Sequence, residues 1–391
     1  MFGSIYIGLS GLSAYSDGLK TVSNNVANLN SSGFKASEVS FSDIYGARSA
    51  GGLDYTVSGS RSGHGVSLND SSIDFGQGEL RQTGRDLDLA IDGGGFFVLL
   101  DGEQTYYTRT GSFTVDEGGF VVLAGTDFRL GVLDSAGRPV AVNIDDARTS
   151  TPVKTTRIEF ADNLSSTATE HTLADLRVYD QRGEEHTWTL SLTREETVFD
   201  EWILTVTDED GEEIGSQTLK FIGGAVDPDT QLLTFADAGS GLSITFDFSG
   251  VTSFSSGSVS SMRAADIDGN ATGSIVTLAV NEKGRLEITY SNEETRELGA
   301  IALADFRDPQ KLEQRSGGLF VQKSYGQVQY LSAEDPRVGT ILGGRLEASN
   351  VDLGAQFGDL ILIQRGFQAS SQIISVSNDM IQQLFGIRGQ G

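Results

Sequence analysis

Two repeats of apolar side chains with a period of seven, one near each end of the chain, constrain its fold more than any other feature. The repeat residues are Ile5, Leu12, Leu19 and Val26 near the N-terminus, and Leu353, Leu360, Phe367, Ile374 and Ile381 near the C-terminus. An apolar repeat of this period is typical of a helix that packs along a seam against another helix. We therefore predict a helix near each end of the chain and a coiled-coil domain formed by the pair.

Both predicted helices have few apolar partners within the chain itself. In the C-terminal repeat the residues three or four positions further on are polar in the middle turns, among them Gln364, Ser370 and Ser377. A helix with so narrow an apolar stripe is poorly suited to the core of a monomer. We therefore predict that the repeat residues pack between subunits of an assembly. The alternative is that each helix covers the core of its own domain.

The net charge of the chain is confined to its middle. Of the 54 acidic and 28 basic residues, residues 1–35 and 351–391 hold four of each, so the whole net charge of -26 belongs to residues 36–350. An acidic middle repels nucleic acid and anionic membrane surfaces. No apolar run approaches the length of about 18 residues that a membrane span needs. We therefore expect neither nucleic-acid binding nor membrane insertion, and we expect the neutral ends to be buried against a partner.

Between its ends the sequence has the pattern of short β-strands joined by glycine turns. Segments such as HTWTLSLTR at 186–194 alternate apolar and polar residues, and DEGG, DEDGEE and NEKGR indicate hairpin turns. The lack of helix–strand alternation argues against a parallel α/β sheet. The predicted fold is mainly β with a terminal α-helical coiled-coil domain, in which the N- and C-terminal helices pair and the β-domains are inserted between them.

The same changes in pattern predict the domain boundaries. We assign residues 1–35 and 351–391 to a helical polymerisation core, 36–70 to a flexible Gly/Ser-rich connection, 71–135 and 271–350 to one β-domain, and 136–270 to an outer, inserted β-domain.

Residue types that carry chemistry are scarce. The chain has no Cys and only three His, namely His64, His171 and His186, which argues against thiolate or multi-histidine metal sites and Cys nucleophiles. The glycine run at 92–97 lacks the context of a phosphate loop, and residues 265–272 lack the glycine that a calcium loop needs. We therefore predict no enzyme activity, no catalytic residue, no metal and no cofactor. A secreted β-rich enzyme or binding module, with Trp188 and Trp202 as its available tryptophans, is the alternative from another class.

Short motifs at both ends resemble those of a known family. Asn24-Asn25-Val26-Ala27-Asn28, followed by Gly33-Phe34-Lys35, resembles the N-terminal signature of the bacterial flagellar rod and hook proteins. Asn350-Val351-Asp352 and Gln364-Arg365 are similar to marks of that family's closing helix. The segment TGRDLDLAIDGGGFFVL at 83–99 is similar to its shared β-domain.

This resemblance implies a structural protein. The inserted residues 136–270 favour the hook members over the shorter rod members, so the implied function is that of a hook subunit. Such subunits polymerise into a curved, flexible tube that acts as a universal joint between rod and filament. A distal-rod or other hook-like axial protein is the alternative within the family.

The resemblance also implies partners and a location. The implied partners are further copies of the chain, the rod, the hook cap, the hook–filament junction proteins and the type III export apparatus. The N-terminus lacks the basic region and cleavage site of a secretory signal. We therefore expect export without a cleaved signal to the extracellular part of the flagellum.

Gln364, Gln368 and Gln372 form a polar but uncharged stripe along the predicted C-terminal helix. Their spacing places them on one side of the helix, and no charged residue lies between Arg365 and Asp379. A surface of this kind binds neither apolar nor charged segments of a passing chain. We predict that the stripe lines the central channel of the tube. Simple exposure to solvent on a monomer is the alternative.

Overall fold

A computed structural model describes residues 2–44, 65–69, 72–195, 200–257, 259–322 and 328–388. The chain divides into two compact units. The first unit comprises Met1–Asp145, Leu278–Glu287 and Glu297–Gly391, and the second comprises Asp146–Thr277 and Ile288–Arg296. Most of the predicted flexible connection at 36–70, including His64, lies outside the described residues.

The fold is mainly β with a helix at each end, as predicted, and the two helices pack together. Helix α1 spans Phe2–Ala27 and helix α2 spans Leu353–Arg388. Gly8 of α1 lies beside Ile374, whereas Asn25 of α1 bonds Gln356, so the two helices run antiparallel. Among the described residues, no helix is long and apolar enough to cross a lipid bilayer.

The strands are short and numerous. In the N-terminal part of the chain they are β1 (Ser37–Glu38), β2 (Phe41–Asp43), β3 (Val66–Leu68), β4 (Ser72–Ile73), β5 (Leu80–Gln82), β6 (Leu89–Asp92), β7 (Phe96–Asp101), β8 (Gln104–Thr108), β9 (Phe113–Val115), β10 (Val121–Leu123), β11 (Arg129–Leu133) and β12 (Pro139–Ala141). In the middle they are β13 (Arg157–Asn163), β14 (Glu170–Tyr179), β15 (Glu185–Arg194), β16 (Glu201–Thr207), β17 (Glu213–Ile222), β18 (Ala225–Val226), β19 (Leu232–Ala236), β20 (Ser243–Thr252) and β21 (Arg263–Ile267).

In the C-terminal part the strands are β22 (Ile275–Val280), β23 (Arg285–Tyr290), β24 (Thr295–Ala300), β25 (Leu303–Phe306), β26 (Leu312–Arg315), β27 (Leu319–Gln322), β28 (Val328–Leu331), β29 (Thr340–Gly343) and β30 (Arg345–Glu347). Short 3₁₀ turns lie at Asp145–Ala147, Pro309–Lys311 and Ser316–Gly318.

The first unit is built on an antiparallel sheet in the order β26-β27-β8-β7-β11-β10-β9, with β12 against β11 and β25 joining β7 to β28. Smaller pairs connect its segments: β1 with β4, β2 with β3, β5 with β30, and β6 with β29. Two clusters of apolar side chains fill the unit, one containing Phe97 and Phe113 and the other Phe96 and Phe320. The pairs of β5 and β6 with strands close to α2 hold the two ends of the chain near each other.

The second unit is built on a sheet in the order β14-β15-β16-β17-β18-β20-β13-β21, with β19 against β20. All its pairings are antiparallel except β13 with β20, which is parallel. Trp188 and Trp202 are buried in its core among Phe160, Phe246 and Phe248. They are therefore not available as the surface aromatics of a binding module. Strands β22, β23 and β24 form a separate three-stranded sheet.

Candidate assembly surface

The seam between α1 and α2 is made of small side chains. On α1 the buried positions include Gly8, Gly11 and Gly18, and on α2 they include Ser370 and Ser377. A Cβ added at Gly11 would lie 2.4 Å from Oγ of Ser370. Glycine facing serine lets the two backbones approach closely, as in other close-packed helix pairs. Ile374 is the repeat residue that lies against this seam, beside Gly8, whereas most of the other repeat residues flank it.

Asn25 of the N-terminal motif ties the helix pair to the sheet. Its side chain is fully buried, and its Nδ2 donates to the carbonyl of Ser37 at 2.8 Å and to Oε1 of Gln356 at 2.9 Å. Its Oδ1 accepts the backbone N–H of Ser37 at 3.0 Å. The side-chain amide of Asn25 thus forms hydrogen bonds with β1 and with α2 at once. A carboxylate could not replace it, because a carboxylate has no N–H to donate.

Gly33 and Phe34 form the turn that leads out of α1. Gly33 has a φ of +68°, and a Cβ there would lie 2.6 Å from the backbone nitrogen of Thr110. Its N–H donates to the carbonyl of Glu347 at 2.8 Å. Phe34 packs with Ala36 and Val351 in a small buried cluster. The motif around Gly33 therefore brings the chain directly against the segment that leads into α2.

Asn350 and Asp352 organise that second segment. Asn350 Oδ1 accepts the N–H of Ala36 at 2.7 Å, and its Nδ2 donates to the carbonyls of Asp74 and Gly76. Asp352 Oδ1 accepts the N–H groups of Gly354 at 2.7 Å and Ala355 at 3.2 Å. Asp352 is therefore the N-cap of α2, where a carboxylate satisfies free N–H groups and favours the positive end of the helix dipole.

A buried ion cluster of Lys35, Glu347 and Arg109 joins the two motifs. Lys35 Nζ lies 2.7 Å from Glu347 Oε1, and their side chains are 0% and 1% exposed. Arg109 Nη1 lies 3.3 Å from Glu347 Oε2. Lys35 also donates to the carbonyl of Gly76, and Glu347 accepts the N–H of Gly78. Glu347 is therefore the single carboxylate that holds both cations in this cluster.

Burial dominates the electrostatics of this cluster. Removal from water lowers the pKa of Lys35 and of Arg109, and in both cases the carboxylate of Glu347 opposes that shift. A buried charge without a partner is costly. Loss of Glu347 would therefore leave two buried cations without a carboxylate.

The residues predicted to pack between subunits lie on or near the surface of the helix pair. Leu19, Leu353 and Phe367 are exposed. The others are half-buried, namely Ile5, Leu12, Val26, Leu360, Ile374 and Ile381. Further large apolar side chains are exposed on both helices, among them Tyr6 and Leu9 on α1 and Leu362, Ile373 and Val376 on α2.

The remaining motif residues and the glutamine stripe are mostly at the surface. Asn24, Ala27, Gln364 and Arg365 are exposed, and so are Gln368 and Gln372. Asn28 is half-buried, and its Nδ2 donates to the carbonyl of Asn24 at 2.9 Å and so closes the last turn of α1.

Two of the histidines lie on strands. His171 Nε2 is 3.0 Å from the carbonyl of Met262. His186 lies near Asp180 and Glu184, with ligand atoms within 4.8 Å of one another. Asp180 Oδ1 already accepts the N–H groups of Arg182 and Glu184 in the hairpin turn from β14 to β15. This arrangement has the hydrogen bonding of an ordinary turn.

Four family models match the chain in order. They are described as flagella basal body rod protein (residues 5–35), flagellar hook protein FlgE/F/G D1 domain (90–156), flagellar basal body protein FlaE D2 domain (143–297) and flagellar basal body rod FlgEFG protein C-terminal (342–387). They include both motif segments, Asn24 to Lys35 and Asn350 to Arg365.

Relatives that align over nearly the whole chain are named flagellar hook protein FlgE. The flagellar hook protein FlgE of Brucella suis is 30% identical over 99% of this chain and 99% of its own length. The proteins of the same name from Treponema pallidum and Salmonella typhimurium are each 28% identical, over 99% and 97% of this chain and 100% and 98% of their own. A crystal structure of Helicobacter pylori flagellar hook protein FlgE2 aligns with a TM-score of 0.47 and 11% identity, over 68% of this chain and 99% of that one.

Proposed function

Since the chain belongs to the flagellar hook protein FlgE family, we propose that this hook subunit polymerises into a curved, flexible tube that acts as a universal joint between rod and filament. The observation that carries the proposal is the helix pair, which exposes large apolar side chains on both helices. Exposed apolar surface of this kind marks a protein–protein contact. The relatives over the full length of the chain favour a hook protein over a shorter rod protein.

In this tube the helix pairs form the polymerisation core. We assign subunit contacts to the nine repeat residues introduced above, and packing of this type gives the coiled-coil character that the heptads predict. The motif residues Gly33 to Lys35 and Asn350 to Asp352 join the helices to the β-strands of the first unit. Their role is to fix the direction in which the helix pair leaves those strands.

The domain assignment follows the same order. Residues 1–35 and 351–391 form the core, 36–70 the connection, 71–135 with 271–350 the first β-domain, and 136–270 the inserted outer domain. The second compact unit and the match of residues 143–297 to a D2-domain model support an inserted domain of about this extent. The acidic charge of the inserted domain suits a surface that faces water.

The remaining assignments follow from the family. The subunit is exported without a cleaved signal by the type III export apparatus to the extracellular part of the flagellum. There it contacts the rod, the hook cap and the hook–filament junction proteins.

Electron microscopy of the purified full-length chain tests the proposal. Concentrated protein is expected to form curved tubes in negative stain. Straight tubes of fixed short length would favour a rod protein. Protein that stays monomeric at every concentration and salt condition would contradict a hook subunit.

Gln364, Gln368 and Gln372 are proposed to line the channel of the tube. Their exposure on the helix pair and the lack of charged residues between Arg365 and Asp379 support this role. Replacing Gln368 and Gln372 by Leu is expected to allow short hooks but to slow the export of later subunits. A map of the polymer with these side chains away from the lumen would contradict the assignment.

A further inference from the structure

Helix α2 exposes a second apolar stripe that the seven-residue repeat does not contain. Its members are Leu362, Ala369, Ile373, Val376 and Met380, all of them exposed. Their spacing of seven, four, three and four residues places them on one face of the helix. Leu362 is 67% exposed and Val376 is 56% exposed. We call this set the aliphatic stripe.

Each member of the aliphatic stripe directly precedes a buried or half-buried residue of α2, and three of these residues, Ile363, Ser370 and Ile374, lie against glycines of α1. Leu362 precedes the buried Ile363, and Val376 precedes the buried Ser377. The polar residues Gln364, Ser371 and Ser375 directly follow such residues. Since successive residues are about 100° apart around a helix, the two stripes flank the seam on opposite sides.

Helix α1 has a corresponding apolar stripe, of exposed and half-buried residues, on one flank of the seam. Its members are Ile5, Leu9, Leu12 and Leu19, and Leu9, Leu12 and Leu19 directly follow the buried Gly8, Gly11 and Gly18. We call this set the leucine stripe. The other flank of α1 is covered by the chain itself: Ser10 Oγ accepts the N–H of Val66, and Gly65 lies against Ser10 and Ile7.

The two stripes lie on opposite faces of the helix pair. In an antiparallel pair of right-handed helices, the residues that follow the seam positions on both helices share one broad face, and those that precede them share the other. The leucine stripe follows the seam and the aliphatic stripe precedes it. Within one chain the two stripes therefore cannot contact each other.

We propose that the aliphatic stripe of one subunit binds the leucine stripe of a second copy of the same chain. All members of both stripes are uncharged, and the charged residues at their edges are Arg365 on α2 and Lys20 on α1, whose long side chains can keep their charged ends in water. The surfaces differ, so the contact is head-to-tail and leaves one free stripe of each kind at the two ends of any assembly. Contacts of this kind continue until a ring closes or a helical polymer grows. The inference rests on the proposed function and names the two surfaces through which the subunits would polymerise.

Disulfide mapping tests the pairing, because the chain has no Cys of its own. Leu9→Cys and Ile373→Cys are made in separate proteins, mixed, assembled and oxidised, so that any linkage between positions 9 and 373 joins two subunits. We expect linked peptides that contain both positions. The matched control is Gln368→Cys mixed with Leu9→Cys, which should give less than about a tenth of that yield. To sample other axial registers between the two copies, cysteines at Leu12 and Leu19 are also combined with cysteines at Leu362 and Val376.

A second test places a charge on the aliphatic stripe and measures the protein concentration needed for assembly. Val376→Asp and Ser375→Asp alter adjacent exposed residues, so neither disturbs the packing within one chain. We expect Val376→Asp to raise the protein concentration needed for assembly at least about tenfold, and Ser375→Asp to change it less than about twofold.

Three outcomes separate this inference from the proposed function. Tubes with linkages between the two stripes support both. Tubes in which the leucine stripe links only to position 368, or in which no stripe pair links, overturn the inference and leave the hook assignment standing. If the unsubstituted chain forms no tubes, the proposed function fails and the inference fails with it.

Discussion

At the scale of single residues, the Lys35–Glu347–Arg109 cluster is the feature that was hardest to predict from the sequence. Lys35 belongs to a motif that we recognised, but its carboxylate partner lies 312 residues further along the chain. Periodicity and composition carry no information about such a pair. The only available signal was a lysine at the end of a nearly uncharged segment.

We expect Glu347→Gln to destabilise the folded chain by about 3–5 kcal/mol, because it leaves two buried cations without a carboxylate. The shift of the urea midpoint in the full-length chain measures the effect. Glu79→Gln is the matched control, since Glu79 pairs with Arg81 at the surface and both side chains are largely exposed. That change should cost less than about 1 kcal/mol. Equal shifts for the two variants would argue against a structural role of the buried cluster.

Gly33→Ala is expected to be more costly than Gly102→Ala. Both glycines have a positive φ, which costs a residue with a side chain about 1–2 kcal/mol. At Gly33 the new methyl group also meets the backbone at Thr110, whereas Gly102 has open space around it. We therefore expect about 1–3 kcal/mol of additional destabilisation at Gly33. Thermal unfolding of the two variants compares them, and similar melting temperatures would contradict the close approach.

At the scale of elements, the repeats predicted the helices but not the seam. The leucines and isoleucines correctly indicated two long helices, because apolar periodicity reflects helical geometry. The contact itself places glycines of α1 against Ser370, Ile363 and Ile374 of α2. Glycine and serine allow this close approach because they are small, and a hydropathy pattern does not reflect size. Ser370 and Ser377 look like gaps in the apolar stripe of the sequence, yet the structure buries both side chains.

Two glycines of α2 give opposite expectations for the same substitution. Gly358 has no neighbour within 4 Å, so Gly358→Ala should stabilise the helix by about 0.5–1 kcal/mol. A Cβ at Gly366 would lie 2.4 Å from the ring of Tyr15. We expect Gly366→Ala to lose that gain and to destabilise the chain by about 1 kcal/mol or more, because the Tyr15 ring, which packs against Phe41, must be displaced. Circular dichroism during urea unfolding tests the pair, and stabilisation by both variants would contradict the seam.

The hairpin turns could be predicted residue by residue. DEGG connects β9 to β10, DEDGEE connects β16 to β17, and NEKGR connects β22 to β23. Glycine and acidic or amide side chains impose these turns locally. The order of the strands within each sheet depends on contacts between distant segments. The parallel pairing of β13 with β20, for example, has no local signal.

At the scale of the whole molecule, the structure shows where a truncation can be made. Residues 33–36 and 350–352 are bonded into the β part of the first unit, whereas the helices are not needed for those bonds. We expect a variant of residues 28–352 to fold and to remain monomeric at concentrations where the full chain assembles. Sedimentation and electron microscopy measure this. Tubes formed by residues 28–352 would show that the helices are dispensable for assembly.

A shorter variant of residues 36–350 provides the comparison. It lacks Lys35 and Phe34, so Glu347 loses one of its two cations and the cluster around Val351 is removed. We expect its urea midpoint to lie below that of residues 28–352. An unchanged midpoint would indicate that the motif residues contribute nothing beyond the helices.

The position of Glu347 near the end of the chain also has a consequence for the order of events during synthesis. A ribosome completes α1 and Lys35 long before it reaches Glu347, and α2 is made after Glu347. Until then α1 has no antiparallel partner, and Lys35 lacks the carboxylate that makes its burial tolerable. Contacts between residues so far apart in sequence form late and slowly. The nascent chain therefore remains open at its first junction until Glu347 has been translated.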